Sequence, residues 1–270
     1  MKKLLLSLAA ISALLISCQK SSPEDATFVK LDAPELQKQA VSIDFPNGAE
    51  YKSIELMEAG TYVIRKETVR STSSLDGYLY GSYTYENGVY TLSGDFQGTI
   101  KIEGNNITVN QEVIVAQEVK CSDENISDEY KQLCRAWEVK ITRASATLSD
   151  TKIDLDWNGC DLNKILEDVA EKINHTMELG EGYVLESVSF SQFGKMVFQF
   201  KNGECFVANW SWGKEGGEIS YEWLEEYMGT EILINAKASV EFSGEGVILN
   251  FSTTVGNYNC NITFGLVEKK

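Results

Sequence analysis

The chain of 270 residues has one histidine and three prolines, and the last of the prolines is Pro46. A single imidazole, His175, leaves one base for any Ser-His-Asp or Cys-His arrangement and too few nitrogens for a histidine metal site. No two of the six cysteines stand in a C-x-x-C spacing, which removes the common thiolate metal frameworks as well. Positive charge is scarce too: 24 basic residues face 40 acidic ones, for a formal charge of −16. Nucleic acid and anionic lipid head groups repel such a chain, so nucleic-acid partners are not expected. Beyond Pro46 turns must come from Gly, Asn and Asp, which recur about every eight to twelve positions, the rhythm of an antiparallel β protein.

The chain starts with Lys2 and Lys3, an apolar run from Leu4 to Ile16, then Ser17 and Cys18. A charged start and a short apolar core describe a secretory signal; a spanning helix needs roughly 20 apolar residues. Leu15-Ile16-Ser17-Cys18 resembles the lipobox of bacterial lipoproteins. That resemblance implies a signal peptide over residues 1–17, cleavage before Cys18, diacylation of its thiol and an acylated new N-terminus. The signal carries two lysines and no acid, so the processed chain has 22 bases against 40 acids and a formal charge of −18. Acyl chains on Cys18, not a basic patch, would then hold it on the membrane. Gln19 follows the Cys where, by resemblance to enterobacterial lipoproteins, an Asp would favour inner-membrane retention. The outer membrane is the expected place, on its periplasmic face or at the cell surface.

Besides Cys18 there remain Cys121, Cys134, Cys160, Cys205 and Cys260, an odd number that cannot all pair within one chain. Cys121 and Cys134 flank a turn and a helix and are the expected partners by proximity, although spacing alone does not fix connectivity.

Residues 18–40 are polar and read as a tether. A meander of short strands follows over 41–121, including Tyr51 to Met57, Thr61 to Val69, Tyr78 to Tyr85, Val89 to Leu92, Gly98 to Glu103 and Ile107 to Val109, with Val113 to Val119 closing the set. Asn87-Gly88 is the strongest hairpin signal, and Gly104-Asn105-Asn106 is another turn. Residues 122–136 form a helical linker, capped by Ser127 with Asp128 and Glu129 at the positive end of the helix dipole. From Trp137 to residue 270 the spacing predicts strands again, interrupted by one amphipathic helix between Asp161, its N-cap, and Met177.

The segment from Ile54 to Ile64 has an echo from Val188 to Phe198: alternating apolar residues, a Gly turn, then alternation again. Each leads to an aromatic strand, Tyr80 to Tyr85 in the first half and Val207 to Trp212 in the second. This order of hairpins, with Trp137 opening the second unit, resembles the lipocalin-like or calycin-like domains of exported lipoproteins from gut-type Gram-negative bacteria. The resemblance covers residues 50–110 and 135–268 loosely and implies up-and-down strands around an interior, with no catalytic residues. The fold class expected is mostly β, in two tandem antiparallel barrel-like units, the second lipocalin-like with one helix.

Asp154-Leu155-Asp156-Trp157-Asn158-Gly159 matches the first six positions of a calcium loop, but the twelfth is Ile165 where a bidentate Glu belongs. A strand ending in an Asn-Gly turn, with Asp161 capping the next helix, accounts for the same residues, so no metal or other cofactor is expected. Aromatic residues offer more. Trp210 and Trp212 share one face of a strand, and the facing arm supplies Tyr221 and Trp223 at the same spacing. They could stack on sugar rings, line an apolar interior or fill a core. The function expected is a non-catalytic binding or interaction role for a glycan or small apolar ligand. A carboxylate-dependent hydrolase acting on glycans and a purely structural envelope component are the alternatives.

Overall fold

The computed structural model describes residues 40–57, 60–66, 77–121, 127–148, 151–157, 161, 164, 184–213, 217–227, 230–244, 246–255 and 258–269; at 141–148, 151–157, 223–227, 230–235, 252–255 and 258–260 it describes the backbone alone. The expected signal, Cys18, the tether, His175 and most of the predicted helix from Asp161 to Met177 lie outside these residues.

The fold is mostly β. Contacts divide the chain into two units: residues 40–136 with Ser189–Met196 form one, and Trp137–Val188 with Val197–Lys270 the other. The helical linker thus belongs with the N-terminal unit, as does a hairpin tip that the sequence places in the C-terminal one.

In the N-terminal unit, alternating apolar residues build β1 (Val41–Asp44), β2 (Tyr51–Leu56), β3 (Thr61–Lys66), β4 (Tyr78–Glu86), β5 (Val89–Gly94), β6 (Gly98–Glu103), β7 (Asn106–Val109), β8 (Glu112–Val115) and β9 (Glu118–Cys121). The nine form one antiparallel sheet in the order β8-β7-β6-β5-β4-β3-β2-β1-β9, curled into a half-barrel. The single closing strand expected at Val113 to Val119 is in fact two, because the chain changes partner there. Ala116 N–H donates to Asn105 O and Gln117 N–H to Asp44 O, each at 2.8 Å, so one short stretch joins both edges of the sheet. Ile43, Ile54, Leu56, Tyr62, Ile64, Tyr83, Ile100 and Ile107 fill the concave side. The β4–β5 turn has Asn87 and Gly88 at φ 52° and 84°, the primed geometry that suits the strand twist. Gly81 is obligatory for another reason: a Cβ there would lie 2.1 Å from Ser93 O.

Helix α1 (Asp128–Leu133) starts where its capping residues predict, with Ser127 Oγ accepting from Tyr130 N–H at 3.2 Å.

Nine further strands make the second sheet: β10 (Ala136–Leu148), β11 (Thr151–Trp157), β12 (Leu185–Phe190), β13 (Lys195–Phe200), β14 (Cys205–Trp212), β15 (Glu218–Tyr227), β16 (Thr230–Ser243), β17 (Gly246–Val255) and β18 (Tyr258–Glu268). Their order is β11-β10-β12-β13-β14-β15-β16-β17-β18, and β10 also pairs with β18 from Trp137↔Glu268 to Leu148↔Tyr258. That last pairing closes an eight-stranded up-and-down barrel, the lipocalin-like arrangement, and leaves β11 as a flap on the second half of β10. Closure pairs β10 with β18, the two strands that an open eight-stranded meander would leave at its edges.

Candidate functional site

The aromatic hairpin expected to carry ligand binding lies on β14 and β15. Trp210 stands directly opposite Tyr221, and Trp212 opposite Ile219. Trp210 is 5% exposed and Tyr221 4%, so neither ring is a sugar platform. They fill the barrel: Tyr221 packs edge-on to Phe251 with ring centroids 5.4 Å apart, and Phe251 to Phe264 at 5.2 Å. Burial pushes the Tyr221 hydroxyl well above its ordinary pKa. Trp212 differs because it ends its strand. It shares the inward face with Trp210 but is only half-buried, at the rim, with its ring edge-on to Trp210 at 6.5 Å. Asn209 and Ser211, on the other face, are exposed. The side chain of Trp223 lies outside the described residues.

Sequence reasoning missed a second place, on the convex side of the half-barrel. Alternation puts Ile54 and Leu56 of β2 inside and Glu55 outside, where a carboxylate normally meets water. Glu55 is instead 5% exposed. The covering group is the β12–β13 hairpin tip, whose Ser191 Oγ donates to Glu55 Oε2 at 2.7 Å and accepts from Phe193 N–H at 3.0 Å. Ser189 Oγ lies 3.3 Å from the Tyr80 hydroxyl, Tyr130 Oη donates to Gln192 O at 3.1 Å, and Phe190 N–H donates to Arg135 O at 3.1 Å. Desolvation raises the pKa of Glu55 above the usual carboxylate range; Lys195 and the Ser191 hydrogen bond pull it down, and Asp44 pushes it up. The arrangement is a buried acid under a cover, with little room for a substrate to reach it.

The tip itself is a tight turn in which Ser191 N–H donates to Lys195 O at 2.8 Å and Gly194 N–H to Ser191 O at 3.1 Å. The β2–β3 turn repeats it, Met57 N–H to Thr61 O at 2.8 Å and Gly60 N–H to Met57 O at 3.1 Å, with Gly60 and Gly194 at φ 74° and 85°. These are the two halves of the sequence echo. The turn from Phe200 to Glu204 has the same pattern without belonging to the echo, so local glycine chemistry is enough to produce it.

The other sequence candidates separate. Asp154 and Asp156 sit inside β11, in register with Ser145 and Arg143, so the first positions of the supposed calcium loop belong to a regular ladder. Asp161 Oδ1 accepts from Lys164 N–H at 3.3 Å, as a cap does. Among the described residues no group of three or more His, Cys, Asp or Glu side chains could hold a metal ion. The expected bond between Cys121 and Cys134 is absent: Cys121 is an exposed free thiol, whereas Cys134 is buried.

Comparison of the chain with protein-family models, curated proteins and solved structures finds no match.

Proposed function

We propose that this chain is a lipid-anchored envelope protein, held by Cys18 in the outer membrane, that performs no catalysis and binds a glycan at the rim of its C-terminal barrel. Trp212 carries the reading: its half-exposed indole is braced edge-on by the buried Trp210. A rigid, partly exposed ring loses little freedom when it stacks on a sugar face. Two further observations support it. The barrel interior is occupied by Trp210, Ile219, Tyr221, Leu249, Phe251 and Phe264, which counts against a small apolar ligand at that depth. The carboxyl raised by burial, Glu55, is covered by Ser191, which counts against a hydrolase built on it.

A glycan array probed with residues 19–270 tests the ligand. Binding that weakens by roughly 1–2 kcal/mol in Trp212→Ala, with the fold intact, is the expected result. A blank array would favour the structural envelope component, for which the filled interior also speaks, and activity against glycans would restore the hydrolase. The anchor is tested separately. Cys18→Ser should leave the protein uncleaved or soluble, and a processed variant still extracted only by detergent would refute the lipid anchor.

A further inference from the structure

We propose that the Glu55–Ser191 contact is a proton-controlled latch: a neutral Glu55 keeps the Ser189–Met196 tip seated on the convex face of β1–β4, and ionisation at higher pH loosens the tip. The geometry comes first. Across that face Ser42, Glu55, Val63 and Tyr80 stand side by side in register on β1, β2, β3 and β4, and all four are buried although they point away from the half-barrel core. The polar contacts of the tip there are the Ser191–Glu55 bond, the Ser189–Tyr80 pair, the Phe190 N–H bond to Arg135 O and the Tyr130 hydroxyl bond to Gln192 O, beside the buried Phe190 and Met196 side chains. Within this group Glu55 is a carboxyl that can change charge without leaving its place.

The titratable groups facing it come from every side. β1 brings Asp44, the tip itself brings Lys195 at the start of β13, and β4 brings Tyr78, whose own hydroxyl is raised by burial and by Glu55 against the pull of Arg65 on β3. Burial is the largest influence on Glu55 and favours the neutral form over Lys195 and the Ser191 hydroxyl, which favour the charged one. The sign follows. An acid whose pKa is raised by folding contributes its full share below the ordinary carboxylate range, and that share is lost as pH rises through the folded value. The tip is therefore held in acid and weakened towards alkaline pH, the reverse of the usual surface carboxylate.

Hydrogen exchange at the Phe190 amide, which bonds across to Arg135 O, corrected for intrinsic rate, reads the latch between about pH 5 and about pH 9. Protection in the unaltered protein should fall by about tenfold per pH unit across the window between the exposed and the buried carboxyl's midpoints. Glu55→Gln should abolish that fall. Ser191→Ala removes a bond that favours the charged form and should move the midpoint to higher pH; Asp44→Asn removes a repelling charge and should move it to lower pH. A pH-independent protection in the unaltered protein, or the same fall in Glu55→Gln, overturns the latch. If Glu55→Gln does not fold, unchanged midpoints in both Ser191→Ala and Asp44→Asn overturn it equally.

Discussion

At the C-terminal end of β14, Trp210 is buried while Asn209 and Ser211 on the opposite face are exposed, so there one side of the strand meets the barrel interior and the other meets solvent. In β2, Ile54 and Leu56 fill the half-barrel, yet Glu55 between them is as hidden as Trp210. Cys205 and Val207, on the same face as Asn209 and Ser211, are buried as well, so β14 has a free second face only at its C-terminal end, whereas β2 has none at Glu55. The difference lies in what covers the sheet. An uncovered face leaves a polar residue as a spectator, whereas a covered one turns the same kind of residue into a buried hydrogen-bonding group whose protonation is tied to stability.

The largest effect that should separate the two strands comes from the apolar side of β14. Trp210→Ala deletes a ring that is 5% exposed and in register with Tyr221. The loss should be roughly 3–5 kcal/mol, enough to unfold a domain of ordinary stability. Circular dichroism melts of Trp210→Ala and Trp212→Ala side by side check this. Equal losses would mean that Trp212 is as deeply packed as Trp210, and would remove the rim platform.

Much of the strand framework was legible before the structure. Gly98–Glu103 has the bounds that alternation and turn residues predict, and Asn87-Gly88 turns where a primed turn is needed. Other features depend on partners that no local pattern encodes. Asn110 and Gln111 make a turn with φ 47° and 78° and no glycine, helped by Thr99 N–H donating to Asn110 Oδ1 at 2.8 Å. The pairing switch at Ala116 and Gln117 is set by the curl of the whole sheet. Glu55 and Ser191 are 136 positions apart, so the burial of Glu55 could not be read from its neighbours. One signal was present: no charged residue falls between Val188 and Gly194, unusual for a hairpin end that meets water on both faces. The candidate site was legible only as a set of rings, since strand position, not residue type, separates the buried Trp210 from the half-exposed Trp212.

A pair of identical substitutions tests the comparison more finely. Ser191 is 0% exposed and donates to Glu55, while Ser211 is exposed on the outer face of β14. Ser191→Ala removes one hydroxyl and leaves a buried carboxyl oxygen without that donor, which should cost about 1–3 kcal/mol. Part of this cost depends on pH. The lost bond favours the charged carboxyl, so the penalty should be larger at about pH 9 than at about pH 5, the direction that a neutral Glu55 at low pH requires. Ser211→Ala removes the same hydroxyl from a position that water already serves and should stay within about 0.5 kcal/mol at either pH. Denaturant melts of both variants at the two pH values give four numbers. A Ser191 loss as small as that of Ser211 would place the hairpin tip in solvent and make the two faces of β2 as unlike as those of β14.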